Sequence, residues 1–259
     1  VMGILNVTPD SFSDGGIHQA PQAALECARR MVSEGVDIID VGGESTRPGA
    51  EDVDPAEELA RTLPVIEALR KEWGGLISID TMKADTAHAA IEAGADIVND
   101  VTGLRDPEMV RVCAEHGCGV VVMHMQGEPR TMQAKPEYDD VVGEVRRFFE
   151  DRLEALTAAG IRREALCFDP GIGFGKSLEH NLSLLRGLGD LQVEDRPLLI
   201  GLSRKSFIGR LVGSEALEDR EWPTVALSAW TRESGAMIHR VHEVRATREA
   251  LRMVEAVIG

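Results

Sequence analysis

The chain has 259 residues and a formal net charge of -16 at pH 7; that length suits one large core and is typical of a single α/β barrel. The acidity argues against a nucleic-acid or anionic-membrane partner, which would need a basic face, but a few focused Arg and Lys side chains still suffice for small anions. No Pro/Ser-rich linker, charge block or low-complexity segment divides the sequence, so residues 1–259 read as one domain.

Short apolar or β-branched runs alternate with amphipathic stretches from end to end, the mark of repeated β-α units and a parallel sheet. Residues 2–7, 37–41, 76–80, 96–100, 119–124, 165–169, 198–202 and 236–240 predict strands. Residues 23–34, 57–71, 83–93, 107–116, 137–159, 179–187, 224–233 and 242–257 predict helices, with Gly35, Gly94, Gly117 and Gly160 as C-caps. A strand-helix alternation repeated eight times predicts a closed (β/α)8 TIM barrel rather than an open sheet. Helix-to-strand connections such as 93–95 and 159–161 are tight. Those leaving strands after Val7, Val41 and Met123 are long and rich in Gly, Pro and polar residues, which selects the C-terminal ends of the strands as the functional face.

What each strand end presents can be taken in order. The first leads into Asn6-Val7-Thr8-Pro9-Asp10-Ser11-Phe12-Ser13-Asp14-Gly15-Gly16, which reads either as a surface turn or as a lid carrying Phe12 and Asp14 above a fixed Asn6. After the second, Gly42-Gly43-Glu44-Ser45-Thr46-Arg47-Pro48-Gly49 offers hydroxyls and a guanidinium suited to phosphate oxygens. Asp80 closes the third run and Asn99 and Asp100 the fourth; buried carboxylates there must be paired or used. Asp80 with Asn99 could read one edge of a flat heterocycle, whereas Asp100 is equally a helix N-cap.

The sixth run finishes in Asp169-Pro170-Gly171-Ile172-Gly173-Phe174-Gly175-Lys176-Ser177, where Pro170 stands at a position a P-loop requires to be Gly. That leaves a carboxylate and a Gly-rich turn able to hold Phe174 near a ligand. The seventh run, from Leu198, turns abruptly polar at Ser203-Arg204-Lys205-Ser206, just before a helix predicted to begin near Phe207. The eighth gives His239-Arg240-Val241-His242, with Arg240 and His242 on one side of the strand and beside Asn6 across the barrel seam. An Arg and a His so placed make an anion clamp or a structural pair.

Cys27, Cys113, Cys118 and Cys167 fall at no metal-finger spacing, and three of them sit within apolar-periodic segments as small buried hydrophobes would, which predicts a reducing cytosol and no disulfides. Any metal is expected to be hard, Mg²⁺ held mainly by substrate phosphates with Asn6 contributing one oxygen. No run approaches transmembrane length. The chain opens on Val1 directly before an apolar strand, and residues upstream of it are expected.

Eight segments in register, 6–16, 42–49, 78–81, 99–100, 123–126, 168–176, 203–206 and 240–242, together resemble the dihydropteroate synthases, a pterin-binding barrel family. The resemblance spans essentially the whole chain. It implies an alkyl transferase of folate biosynthesis that condenses 7,8-dihydropterin-6-ylmethyl diphosphate with 4-aminobenzoate to give 7,8-dihydropteroate and diphosphate. Asp80, Asn99, Asp169 and Lys205 would hold the pterin, with Val101 and Met123 against its faces. Asn6, Thr46, Arg47, Arg240 and His242 would hold the diphosphate with Mg²⁺, Asn6 being the metal ligand. Phe12, Thr46, Pro48, Phe174, Lys205 and Ser206 would frame the aminobenzoate, and Asp80, Asp169, Lys205 and Asp14 would carry the chemistry. The resemblance also implies inhibition by sulfonamides and a homodimer through helices near the C-terminus. A corrinoid-linked methyltetrahydrofolate methyltransferase and a non-catalytic pterin-binding paralogue are the alternatives on the same barrel.

Overall fold

The structure is a computed structural model and describes residues 1–8, 20–45, 52–128 and 131–259. Strands β1 (Met2–Asn6), β2 (Ile38–Gly42), β3 (Leu76–Asp80), β4 (Ile97–Asp100), β5 (Gly119–Met123), β6 (Leu166–Asp169), β7 (Leu198–Ile200) and β8 (Ala236–Val241) pair in sequence order, all parallel, and close through β1 and β8. Helices α1 (Ala20–Ser33), α2 (Pro55–Glu72), α3 (Ala84–Glu92), α4 (Pro107–His116), α5 (Val141–Ala158) and α6 (Leu178–Arg186) each follow one strand. Two helices, α7 (Ser206–Val212) and α8 (Glu221–Glu233), lie between β7 and β8, and α9 (Val244–Ile258) ends the chain. The expected (β/α)8 barrel is therefore the fold.

Strand alternation divides the side chains between two cores. Outward residues such as Ile39, Ile77, Val98 and Phe168 pack against helix residues such as Ile66, Ala87 and Phe149 in one continuous apolar layer. Phe149 of α5 stacks on Phe168 of β6 with centroids 4.7 Å apart; burying one such ring stabilises the layer by roughly 1.5–3 kcal/mol. Inward residues behave differently. Near the N-terminal ends of the strands Met2, Ile38, Val121, Cys167 and Leu199 fill the barrel as an apolar plug. One or two residues further along, the buried inward side chains are Asp40, Ser78, Asp80, Asn99 and Asp169. The interior thus changes from hydrocarbon to polar toward the face that the loop lengths select.

Helix boundaries follow capping chemistry. The α4 bounds coincide with expectation because Asp106 accepts from the Glu108 N–H at 3.0 Å and Gly117 closes the helix in the left-handed region. The expected helix 137–159 starts only at Val141: Asp140 caps it by accepting from Gly143, while Glu137 exchanges two bonds with the Gln126 amide. Residues 137–140 thereby belong to the β5–α5 loop.

Candidate functional site

Parallel register assembles the rim. Asn6 lies beside Gly42, Gly42 beside Asp80, and Asp80 beside Asn99, while Met123 lies beside Asp169. Gly42 matters because a Cβ there would stand 3.5 Å from the Asp80 Cβ and 3.7 Å from both Asn6 Oδ1 and Asp80 Oδ2. Its missing side chain leaves two hard oxygens facing one gap between neighbouring strands.

Below these groups lies a network that the sequence reading did not single out. Asp40 Oδ2 accepts from Arg240 Nε at 2.6 Å and from Asn99 Nδ2 at 3.1 Å, and Arg240 Nη2 donates to Asp80 Oδ2 at 2.6 Å. One guanidinium therefore bridges two buried carboxylates. Bonding of Nδ2 to Asp40 fixes the Asn99 amide so that Oδ1 remains for a ligand donor. Arg240, expected on the diphosphate beside His242, donates through Nε and Nη2 to two carboxylates below the strand ends. Its place on β8 explains this: Arg240 pairs with Met2, two residues deeper than His242.

Burial pushes the Asp80 carboxyl up to about 7, opposed by the Arg240 charge and reinforced by Asp40. The Asp80 and Asp40 Oδ1 atoms are buried without a hydrogen-bond partner. Burial also raises Asp169, against the Gly171 N–H at 2.8 Å and the charges of Lys205 and Arg240. Burial works against the Arg240 charge, but Asp40 and Asp80 outweigh it and hold the guanidinium firmly protonated. Two buried carboxylate oxygens without partners could accept from a ligand that donates N–H groups.

Across the barrel, Asp169 leads into the Gly-rich turn. Gly171 adopts φ 64°, and a Cβ there would lie 2.0 Å from the His124 carbonyl, so no larger residue fits. Close approach of two backbones, not phosphate binding, accounts for that glycine. The turn brings Phe174 under Lys205, whose Nζ stands 4.0 Å from the ring centroid. Val101, Met123, Met125 and Met132 cluster with Phe174 and Met82 into an apolar wall beside these charges. Lys176 is buried against His124.

The remaining expected residues divide. Lys205 N-caps α7 and Ser206 is its exposed first residue. His242 Nδ1 and Ser203 Oγ are 2.8 Å apart, joining the ends of β7 and β8. Arg204, in the same polar stretch, takes φ 59° and pairs with Glu221 and Glu243, a structural role away from Lys205. Asp100 accepts from Thr102 and Leu104 and shapes its own loop; the N-cap of α4 is Asp106. Phe12, Asp14, Thr46, Arg47 and Pro48 lie outside the described residues.

Asp40 is the buried rim residue not named from the sequence, whereas Ser203 and Lys176 were named only within their segments, without a role. For Asp40 a signal existed: it is a carboxylate inside the apolar run Ile38-Ile39-Asp40-Val41, at the inward parity of Gly42.

The sequence profile of the pterin binding enzymes matches residues 2–242. A dihydropteroate synthase of Escherichia coli is 48% identical over 259 residues, covering 100% of this chain and 92% of that protein. One from Synechocystis is 46% identical over 258 residues, covering 99% and 89%. Among solved structures, the Yersinia pestis dihydropteroate synthase with a sulfonamide drug complex superposes with TM-score 0.94 at 47% identity, covering 99% of this chain and 93% of that one. The Xanthomonas albilineans enzyme in complex with 7,8-dihydropteroate gives TM-score 0.91 at 44% identity, covering 100% and 93%.

Proposed function

The chain belongs to the pterin-binding enzymes and, within them, to the dihydropteroate synthases, and from that premise we propose that its rim condenses 7,8-dihydropterin-6-ylmethyl diphosphate with 4-aminobenzoate, giving 7,8-dihydropteroate and diphosphate. The observation that carries the reading is the bonding of Asp40, Asp80, Asn99 and Arg240 into one buried acceptor-rich network, with Asp169 and Lys205 in the same electrostatic neighbourhood.

In this reading Asp80, Asn99 Oδ1 and Asp169 accept the N–H groups of the pterin, Lys205 donates to its acceptor side, and Met123 and Val101 cover its faces. Binding gives partners to the buried carboxylate oxygens, and each hydrogen bond so formed offsets part of their desolvation. Asn6, Thr46, Arg47 and His242 receive the diphosphate. The His242 and Ser203 pair, at 2.8 Å, orients the imidazole at the strand end, where it can donate a proton to the departing anion. Arg240 lends its charge from the pterin side, held there by Asp40 and Asp80.

As the C–O bond to diphosphate breaks, positive charge spreads from the methylene carbon into the ring; ionised Asp80 and Asp169 stabilise that charge from fixed, buried positions. The aniline nitrogen of 4-aminobenzoate then attacks the methylene carbon and loses a proton. Phe174, Lys205 and Ser206 frame this second substrate; the family resemblance adds Phe12, Thr46, Pro48 and Asp14, which lie outside the described residues.

Mg²⁺ suits a hard oxygen such as Asn6 Oδ1, carried at the strand end beside Gly42. Among the described residues no group of three His, Cys, Asp or Glu side chains could hold a metal unaided, which fits an ion that takes most of its oxygens from diphosphate and water. Asn6 would hold it, and when bound it would neutralise charge on the leaving diphosphate.

A homodimer is supported by apolar surface on the last helices. Trp222 and Trp230, spaced for one stripe of α8, are 77% and 41% exposed, and Met253 and Val257 on α9 are 67% and 82% exposed. The four cysteines are unpaired and no helix among the described residues is long and apolar enough to cross a membrane, in keeping with a cytoplasmic location.

Competition binding tests the site. Protein loaded with a pterin and diphosphate should bind labelled 4-aminobenzoate and release it to a sulfonamide. Independent binding of the two would contradict a shared pocket.

A further inference from the structure

The β5–β6 side of the rim contains a cation that the chemistry above does not use. Lys176 is 3% exposed. Its ammonium reaches the Phe174 carbonyl at 2.9 Å, His124 Nδ1 at 3.1 Å and the His124 carbonyl at 3.3 Å. Three acceptors match the three protons of an ammonium; with Lys176 protonated, Nδ1 accepts and the His124 proton lies on Nε2. Burial lowers the Lys176 ammonium to about 7, opposed by Asp169. Burial and the Lys176 charge lower His124 to about 3, so the imidazole is neutral.

The position of this cation is informative. His124 follows the last residue of β5, and Phe174 lies in the turn that leaves β6, so one side chain clasps the ends of two neighbouring strands. Asn181 of α6 holds the same turn from its far side by accepting from the Gly173 N–H at 2.8 Å. Phe174 then meets Lys205 through its ring. The imidazole of His124 packs edge-on to Phe148 of α5 with centroids 5.0 Å apart, so the clasp is anchored in the helical layer.

We propose that Lys176 is a positioning residue for the condensation: by drawing together the His124 and Phe174 carbonyls it sets the Phe174 ring against Lys205, and with it the wall of the aminobenzoate pocket. This rests on the reading of Phe174 and Lys205 as aminobenzoate contacts.

Lys176→Met keeps the length of the side chain and removes all three donors. KM for 4-aminobenzoate should rise about tenfold, the equivalent of one charge-assisted hydrogen bond, while kcat and pterin diphosphate affinity change by less than about threefold. In a Phe174→Ala background the same substitution should add less than about twofold, because the ring it positions is gone. A purely structural role would lower the active fraction and leave KM alone. Independent, multiplying effects in the double variant, or an unchanged KM in the single one, would overturn the proposal. Lys176→Gln takes the same test should the methionine variant fail to fold. Wild-type protein without dihydropteroate formation would overturn the proposed activity itself; wild-type turnover with multiplying effects would overturn only the role of Lys176.

Discussion

Replacing Asp40 with asparagine preserves the shape of the side chain and deletes the charge that anchors the pterin pocket. The carboxylate Oδ2 takes Arg240 Nε at 2.6 Å and Asn99 Nδ2 at 3.1 Å. Hydrogen bonds to charged groups contribute about 1.5–3 kcal/mol each, and a neutral amide oxygen keeps roughly half of that. Arg240 retains Asp80, so the guanidinium is not left stranded. The expected loss is about 1.4 kcal/mol in pterin diphosphate binding, a tenfold rise in Kd.

The pH dependence of Asp40→Asn should change in a direction that weaker packing alone would not produce. Asp80 is raised to about 7 by burial, and the Asp40 charge adds to that rise. Pterin N–H donors favour the ionised Asp80, so wild-type affinity should fall as pH drops through about 7. Without the Asp40 charge Asp80 ionises more readily, and the acid limb should move to lower pH even as affinity declines. Calorimetric titration with pterin diphosphate between about pH 5 and 8 reads both quantities. Wild-type affinity, or an acid limb that stays or moves up, would refute the network as the organiser of the pocket.

Lys205→Ala should weaken pterin and 4-aminobenzoate binding together, because its ammonium sits over Phe174 and acts electrostatically on Asp169; separate ligand titrations showing loss of only one would remove it from the boundary between pockets. Burial lowers His239 to about 4, and both its ring nitrogens lack partners. An unfolded chain protonates this histidine below its ordinary value near 6.5 while the fold resists until about 4, so stability falls as pH drops through that window. In urea titrations, His239→Leu should flatten the slope there by close to one proton, and an unchanged slope would count against a buried neutral imidazole. Trp230→Glu should shift the sedimenting species from dimer to monomer without lowering the affinity of each pterin site; an unaltered dimer would move the interface off α8.

The barrel was legible because short apolar runs alternate with amphipathic stretches along the whole chain, and because parallel strands must be linked by crossovers such as helices. Asp80 and Asp169 became candidates because each closes a strand, and Asn99 because it stands next to the last residue of one. Direction and depth were harder to read. Arg240 shares a face with His242 in a simple alternation, but depth along β8 puts it between Asp40 and Asp80. Arg204 belongs to a polar tetrad at a strand end, and a left-handed backbone turns it toward Glu221 and Glu243. Lys176 resembles the end of a phosphate loop, whereas the fold buries it against two carbonyls. Such assignments depend on contacts between elements far apart in sequence, which local periodicity does not encode. Phe12 and Asp14, in a segment that the sequence reads as a surface turn or a lid, and Thr46, Arg47 and Pro48 lie outside the described residues.

The most direct measurement incubates the protein with 7,8-dihydropterin-6-ylmethyl diphosphate, Mg²⁺ and labelled 4-aminobenzoate and follows label and diphosphate together. Equal amounts of labelled 7,8-dihydropteroate and diphosphate are expected, with formation abolished in Asp169→Asn. Binding of both substrates without any coupled product, or full turnover in that variant, would contradict the claim that these buried carboxylates make the barrel mouth a dihydropteroate-forming site.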